Sequence, residues 1–308
     1  LSTEKSPLER HLYIIQLDGK GKKSLSPLAG TYSINMSPDH QFFITYHTSA
    51  ASPVTVTLNE ASGKTLKVLE DNQALKDRMA TFALGKKEFF SFPTVDGTTL
   101  TGYLIKPADF DPNKKYPVLM YVYGGPGSQN VLNSWGGSRD FWHQHLAAEG
   151  YLVASIDNRG TGARGRDFKH ATDSNLGKLE TIDQIEGAKY LAKMPFVDSS
   201  RIGIWGWSYG GYMSSLSLMI GHDVFKAAIA VAPVTTWRYY DTVYTERYLQ
   251  TPQLNPAGYD DNSPITHVNK LKGNFLLIHG TGDDNVHFQN AVDLVNALIA
   301  ADKQFETF

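Results

Sequence analysis

Short stretches in which apolar and polar positions alternate with a period of two, separated by turn residues, make about the first 70 residues read as strands and turns rather than helices. Tyr13 to Leu17 alternates moderately and ends at Asp18-Gly19, a dipeptide that favours a tight hairpin turn. Ser37-Pro38-Asp39 marks a second turn, ahead of the β-rich run Phe42 to Tyr46. Val54 to Leu58 alternates strictly, and Ser62-Gly63 turns it into Thr65 to Leu69. Four short strands so spaced fit one sheet of a β-propeller. A single blade cannot bury both of its faces, so further blades are expected upstream.

From about residue 85 the pattern changes to strand, helix, strand. Val118 to Tyr123 and Tyr151 to Ile156 are continuous apolar runs that read as buried strands, with a helix over Asp140 to Glu149 closed by Gly150. Thr181-Ile182-Asp183-Gln184 has the spacing of a capping box and predicts a helix from there through Met194. Arg201 to Trp205, Ala227 to Val231 and Phe275 to Ile278 add further buried strands, and Phe305 to Phe308 looks like the beginning of another. Such alternation argues for a mostly parallel sheet with helices on both faces, whose chemistry gathers at the carboxyl ends of the strands.

Composition sharpens this picture by exclusion. A chain of 308 residues suggests two domains, placed here at 1–75 and 76–308, and 41% hydrophobic residues suffice for a sizeable core. Lys and Arg number 29 against 31 Asp and Glu, so no basic excess supports a nucleic-acid partner. Cysteine is absent, which removes disulfides, thiolate metal sites and a cysteine nucleophile. No apolar run has the length of a transmembrane segment, and no metal or organic cofactor is implied. The chain opens at Leu1 without a charged-then-apolar leader and reads as part of a longer protein.

The strongest chemical signal is Gly206-Trp207-Ser208-Tyr209-Gly210, directly after a predicted strand and opening a helix. G-x-S-x-G in that setting is a nucleophile elbow, with the serine on a strained turn and the first helical N–H groups facing a developing oxyanion. A serine of this kind needs an imidazole to take its proton and a carboxylate to orient that imidazole. The acid is sought after the strand Phe275 to Ile278, in His279-Gly280-Thr281-Gly282-Asp283-Asp284-Asn285-Val286-His287. Asp283 is preferred to Asp284 because it comes first after the turn-permitting Gly282. His287 follows too closely for the order serine, acid, histidine, and His279 at a strand end reads as structural. The triad histidine is therefore expected beyond Phe308.

Three segments carry a resemblance: Tyr123-Gly124-Gly125-Pro126-Gly127-Ser128-Gln129, Gly206 through Tyr212, and His279 through His287. With Trp237-Arg238-Tyr239-Tyr240-Asp241-Thr242-Val243-Tyr244-Thr245-Glu246-Arg247-Tyr248, they resemble the prolyl oligopeptidase family, and its bacterial dipeptidyl-peptidase members in particular. The resemblance implies an α/β fold, an α/β-hydrolase domain preceded by the last strands of a β-propeller. It implies Ser208 as nucleophile, Asp283 as orienting acid, and the Tyr209 N–H with the Tyr123 hydroxyl as oxyanion hole. Tyr240, Tyr244, Trp237, Val234, Tyr209 and Val286 would line a proline-sized pocket, and Asn285 would donate to a substrate carbonyl. The implied activity is that of a serine exopeptidase releasing dipeptides with Pro or Ala in the penultimate position. Tripeptide-releasing and acylaminoacyl peptidases of the family, or a non-catalytic binding relative, are the alternatives; a lipase or esterase is disfavoured by the propeller strands. The family further implies a peptide substrate, a homodimer, and a periplasmic or cell-envelope location.

Overall fold

The computed structural model describes residues 1–308. Strands β1 (Tyr13–Ile14) and β2 (Lys23–Ser24) pair antiparallel on either side of the Asp18-Gly19 turn. Strands β3 (Thr31–Met36), β4 (Phe42–Ser49), β5 (Ser52–Glu60) and β6 (Thr65–Glu70) form an antiparallel sheet in chain order. The first strand of this sheet is thus Thr31–Met36, and the expected Tyr13 to Leu17 strand is not part of it. The reason is burial: Ile14, Ile15 and Leu17 are exposed, whereas Tyr32 on β3 is buried and β3 pairs with β4 along its whole length. A short helix, α1 (Gln73–Met79), follows the sheet and buries nothing.

The second sheet has eight strands. The chain runs through β7 (Lys87–Pro93), β8 (Thr99–Ile105), β9 (Tyr116–Tyr121), α2 (Ser138–Ala148), β10 (Leu152–Asp157), α3 (Arg166–His170) and α4 (Lys178–Ala192). It continues through β11 (Val197–Trp207), α5 (Tyr209–Ile220), β12 (Ala227–Val231), α6 (Thr242–Leu249), α7 (Pro256–Asp260), α8 (Pro264–His267), β13 (Asn274–Ile278), α9 (Gln289–Ala300) and β14 (Glu306–Thr307). The spatial order is β14-β13-β12-β11-β9-β10-β8-β7. Neighbours from β14 to β10 are parallel, while β8 and β7 are attached antiparallel at the other edge. Strands β9 to β13 contain the continuous apolar runs of the sequence; β10 is buried at every position, as expected for a strand covered on both faces, whereas β12 and β13 are buried at alternate positions. The main core joins Val118, Met120, Ile156, Ile204 and Ala230 of the sheet to Leu191, Met213, Leu216 and Leu294 of the flanking helices.

Helix α4 departs from its expected start. It begins at Lys178 after Gly177, with no side-chain cap, so Thr181, Asp183 and Gln184 lie inside the helix and are buried. A capping side chain sits at a helix end and turns back on its own backbone. These instead turn inward, and Asp183 and Gln184 bond to the loop that follows β10. The amino-terminal segment is fastened to the second sheet's loops around Asn133, whose N–H donates to Leu8 O (2.8 Å) and whose Nδ2 donates to Glu9 Oε1 (2.7 Å). No helix is long and apolar enough to cross a membrane.

Candidate active site

Strand β11 remains extended through Trp207 and α5 starts at Tyr209, which leaves Ser208 alone to turn the chain. It does so at φ 58° and ψ −118°, a conformation that costs a non-glycine residue about 1–3 kcal/mol. Two hydrogen bonds hold it there: Ser208 N–H donates to Val231 O (2.8 Å), and Tyr212 N–H donates to Ser208 O (3.0 Å). The flanking glycines are a steric requirement. A Cβ on Gly206 would sit 2.6 Å from the Gly210 carbonyl carbon, and one on Gly210 would strike the Val122 carbonyl oxygen and lie 3.2 Å from Tyr123 Cα. Helix and neighbouring strand therefore approach each other backbone to backbone. The Ser208 hydroxyl is half-buried and hydrogen-bonded to no other residue. It lies at the amino end of a buried helix, where unpaired N–H groups and the helix dipole favour negative charge.

Tyr123 follows β9 by two residues and opens the Gly124-Gly125-Pro126-Gly127 turn, in which Gly124 and Gly127 take positive φ. Its ring lies 6.0 Å from that of Tyr209, centroid to centroid. Burial, and then the neighbouring Tyr240, Tyr121 and Tyr248, raise the Tyr123 hydroxyl above the ordinary phenol range. At neutral pH the group is a neutral O–H donor, and Tyr123 and Ser208 both follow the carboxyl ends of the adjacent parallel strands β9 and β11.

Asp283 lies in the loop after β13, two strands from the elbow. It is half-buried while Asp284 is exposed, and its Oδ1 accepts from Asn285 N–H (3.0 Å) and Val286 N–H (2.9 Å). Its Oδ2 stands 3.7 Å from Nε2 of His279, but that nitrogen is 2.7 Å from the Val286 carbonyl and the ring is buried. His279 thus props the loop carrying Asp283 from behind. His287 is exposed, and neither imidazole is hydrogen-bonded to Ser208.

The aromatic residues gather beside the elbow. Trp237 opens a 3-10 turn (Trp237–Tyr239) that Tyr240 directly follows, and Tyr244 comes from α6, whose first turn is capped by Asp241 accepting from Tyr244 N–H (2.8 Å). The Trp237 ring lies 5.5 Å from Tyr209, 5.9 Å from Tyr240 and 5.9 Å from Tyr244, while Tyr240 and Tyr244 meet edge to face at 5.4 Å. Tyr240 precedes α6, so the spacing of four does not place the two tyrosines on one helix face. Trp237, Tyr209, Val234 and Val286 are buried, whereas Tyr240 and Tyr244 are only half-buried. Tyr240 O–H donates to Asn285 Oδ1 (2.9 Å), which leaves the Asn285 amide nitrogen for another acceptor.

Sequence reasoning missed Glu180, Asn158 and Gln184, all fully buried behind these groups. Tyr209 O–H donates to Glu180 Oε1 (2.8 Å), and burial pushes the Glu180 carboxyl up to about 7. The available signal was the spacing of Glu180, Asp183 and Gln184, which falls on one face of a helix lying between buried strands.

Residues 138–308 match the model of the prolyl oligopeptidase family, and residues 1–54 match that of the dipeptidyl peptidase IV (DPP IV) N-terminal region. The chain is 43% identical to dipeptidyl peptidase 4 of Porphyromonas gingivalis and superposes on its crystal structure with a TM-score of 0.96, over 99% of this chain and 43% of that one. A putative dipeptidyl aminopeptidase IV from Bacteroides ovatus is 33% identical, with a TM-score of 0.85 over 96% of this chain and 42% of that one. A probable dipeptidyl-aminopeptidase B of Emericella nidulans is 42% identical over 99% of this chain and 34% of its own length. The chain spans about a third of the length of the curated relatives it matches. An α/β-hydrolase sheet with a Ser208 elbow, preceded by propeller-type strands, accompanies a family model matched over more than half of the residues: the chain belongs to the prolyl oligopeptidase family.

Proposed function

We propose that this chain carries the catalytic machinery of a serine exopeptidase that releases dipeptides with Pro or Ala in the penultimate position. The carrying observation is the Ser208 elbow, held at positive φ between β11 and the buried α5, with Tyr123 on one side and an aromatic wall on the other. In this reading the Ser208 hydroxyl adds to the scissile carbonyl as an imidazole takes its proton. The carbonyl oxygen becomes an oxyanion that accepts from Tyr209 N–H and Tyr123 O–H. Collapse expels the amine, which takes the proton from the imidazolium, and water then hydrolyses the acyl-enzyme by the same steps. Asp283 orients the imidazole. No imidazole among these residues bonds to Ser208, so we assign that role to the segment following β14. This strand runs parallel to β13, so its carboxyl end opens beside the Asp283 loop.

The wall of Trp237, Tyr209, Tyr240 and Tyr244, closed by Val234 and Val286, suits a flat pyrrolidine ring. Asn285, oriented by Tyr240, would donate from Nδ2 to a carbonyl of the substrate. The test uses the full-length protein. A fluorophosphonate should label Ser208, Ser208→Ala should abolish both labelling and turnover, and kcat/KM for Gly-Pro-p-nitroanilide should exceed that for the Gly-Leu analogue by about 100-fold or more. Labelling of a different serine would refute the nucleophile, and near-equal kcat/KM values would refute the pocket.

A further inference from the structure

The turn that follows Tyr123 is bonded at its far end, where Gly127 N–H donates to Gly160 O (2.8 Å), but has few attachments next to Tyr123 itself. The last ladder bond before it is Val122 N–H donating to Trp205 O (3.0 Å). From Tyr123 N–H to Gly125 N–H, the one backbone group bonded within the protein is the Gly124 carbonyl, which accepts from Asn158 Nδ2 (2.9 Å); the Gly125 carbonyl beyond it accepts from Ser128 N–H (3.1 Å) and Ser128 Oγ (2.6 Å). Asn158 is fully buried, and its side-chain oxygen in turn accepts from Gln184 Nε2 (3.0 Å), a fully buried side chain of α4 that also donates to Ile156 O (3.0 Å). The hold on Tyr123 thus runs Gln184, Asn158, Gly124. One helical turn earlier, Glu180 accepts from the Tyr209 hydroxyl and so grips the other half of the same site from the same helix.

The intervening residue completes the pattern. Asp183, fully buried, accepts from Arg159 N–H (2.7 Å) and pairs with the Arg159 guanidinium (2.6 Å), which fixes the loop on which Asn158 sits. Three polar side chains at helical spacing thus turn away from solvent toward the carboxyl ends of β9, β10 and β11. Burying them carries a desolvation penalty that apolar residues on that face would avoid. Glu180 Oε2 and Gln184 Oε1 are buried without a partner, so packing alone does not explain the choice of residues.

We propose that Glu180 and Gln184 are positioning residues for the oxyanion pair, Gln184 acting on Tyr123 through Asn158 and Gly124, and Glu180 acting on Tyr209. The inference rests on the proposed hydrolase reading and extends it to side chains buried behind the site. A donor displaced by a fraction of an ångström still binds the ground-state carbonyl but fails the oxyanion, so the loss belongs in kcat rather than in KM.

The test uses the full-length enzyme with Gly-Pro-p-nitroanilide. Gln184→Met and Glu180→Leu should each lower kcat by about 10- to 100-fold, short of deleting a donor outright, with KM within about threefold. Glu180→Gln, which keeps an acceptor for the Tyr209 hydroxyl, should stay within about threefold of wild type in kcat. In a Tyr123→Phe background Gln184→Met should lower kcat no further than about twofold, since nothing is left to misplace, and Glu180→Leu should do the same in Tyr209→Phe. Thermal unfolding identifies variants that have not folded; should Gln184→Met be one, Gln184→Asn, which withdraws the same amide by a methylene, takes its place. A folded Gln184 variant with wild-type kcat beside an impaired Tyr123→Phe overturns the inference alone, as does a loss that persists undiminished in the Tyr123→Phe background. Wild-type kcat in Tyr123→Phe itself overturns the oxyanion assignment and the inference with it.

Discussion

Replacing Gly210 by alanine tests whether the elbow works by backbone contact. The α-carbon of Gly210 faces β9, and an added Cβ would enter the van der Waals sphere of the Val122 carbonyl oxygen while standing 3.1 Å from its carbon and 3.2 Å from Tyr123 Cα. Neither neighbour is a flexible side-chain tip. The helix must retreat or the Val122-Tyr123 peptide must move, by about 1 Å, the scale at which misplaced catalytic groups lose on the order of 100-fold in rate. Overpacking of this kind also destabilises by about 1–3 kcal/mol. Gly282→Ala serves as the control, because its Cβ would meet nothing within 4 Å although it lies next to Asp283. The assay is kcat/KM for Gly-Pro-p-nitroanilide together with the rate of fluorophosphonate labelling, on full-length protein shown to be folded by its melting curve. The expectation is a fall of about 100-fold in both for Gly210→Ala and less than about threefold for Gly282→Ala. A folded Gly210→Ala enzyme within about threefold of wild type would show that the contact with Val122 does not set the geometry of Tyr123 and Ser208.

The remaining predictions concern charge and hydrogen bonding around the site. Burial lifts the Glu180 carboxyl from its usual 4.5 to about 7, so the folded state holds a proton that the unfolded chain releases, and wild-type stability falls as pH rises through that interval. Glu180→Gln should therefore gain about 3 kcal/mol on wild type between the two ends of that interval in urea unfolding, and parallel stability curves would contradict it. Arg159→Ala leaves the fully buried Asp183 carboxylate without its partner and should destabilise by about 3–5 kcal/mol in the same assay, a loss under about 1 kcal/mol being the contrary result. Tyr240→Phe removes the 2.9 Å bond that orients Asn285, and should raise KM for the dipeptide substrate about fivefold while leaving kcat within about twofold; an unchanged KM would detach Asn285 from substrate binding.

The elements legible in the sequence were those with continuous apolar runs or an obligatory turn geometry. Strands β9 to β13 announced themselves as apolar runs, although β10 alone is buried at every position and β12 and β13 are buried at alternate ones, and the elbow was visible because a serine at positive φ between strand and helix needs its glycines in fixed places. β3 escaped notice although its Thr-Tyr-Ser-Ile-Asn-Met alternation is strict: only Tyr32 of the six is buried, and pairing with β4 along its whole length fixes its place in the sheet. The aromatic wall could be assigned only through the family resemblance, since its residues come from a 3-10 turn and a separate helix whose approach no local period encodes.

Helix α4 was misread for a different reason. A Thr-x-x-Gln spacing signals a helix start only if those side chains lie at the end of the helix, and a reader assumes that polar residues seek solvent. Here the assumption inverts: Ile182 is 43% exposed, while Asp183 beside it is fully buried. Hydrophobic patterning can specify which helix face meets a sheet only when the contact is apolar. Where the contact is a set of hydrogen bonds to strand ends, the pattern points the wrong way, and the conflict itself is informative. Natural sequences depart from local rules chiefly where function demands it. A helix that exposes an isoleucine and buries Glu180, Asp183 and Gln184 against the loops of Tyr123 and Tyr209 departs from those rules at the place where the chemistry is assigned.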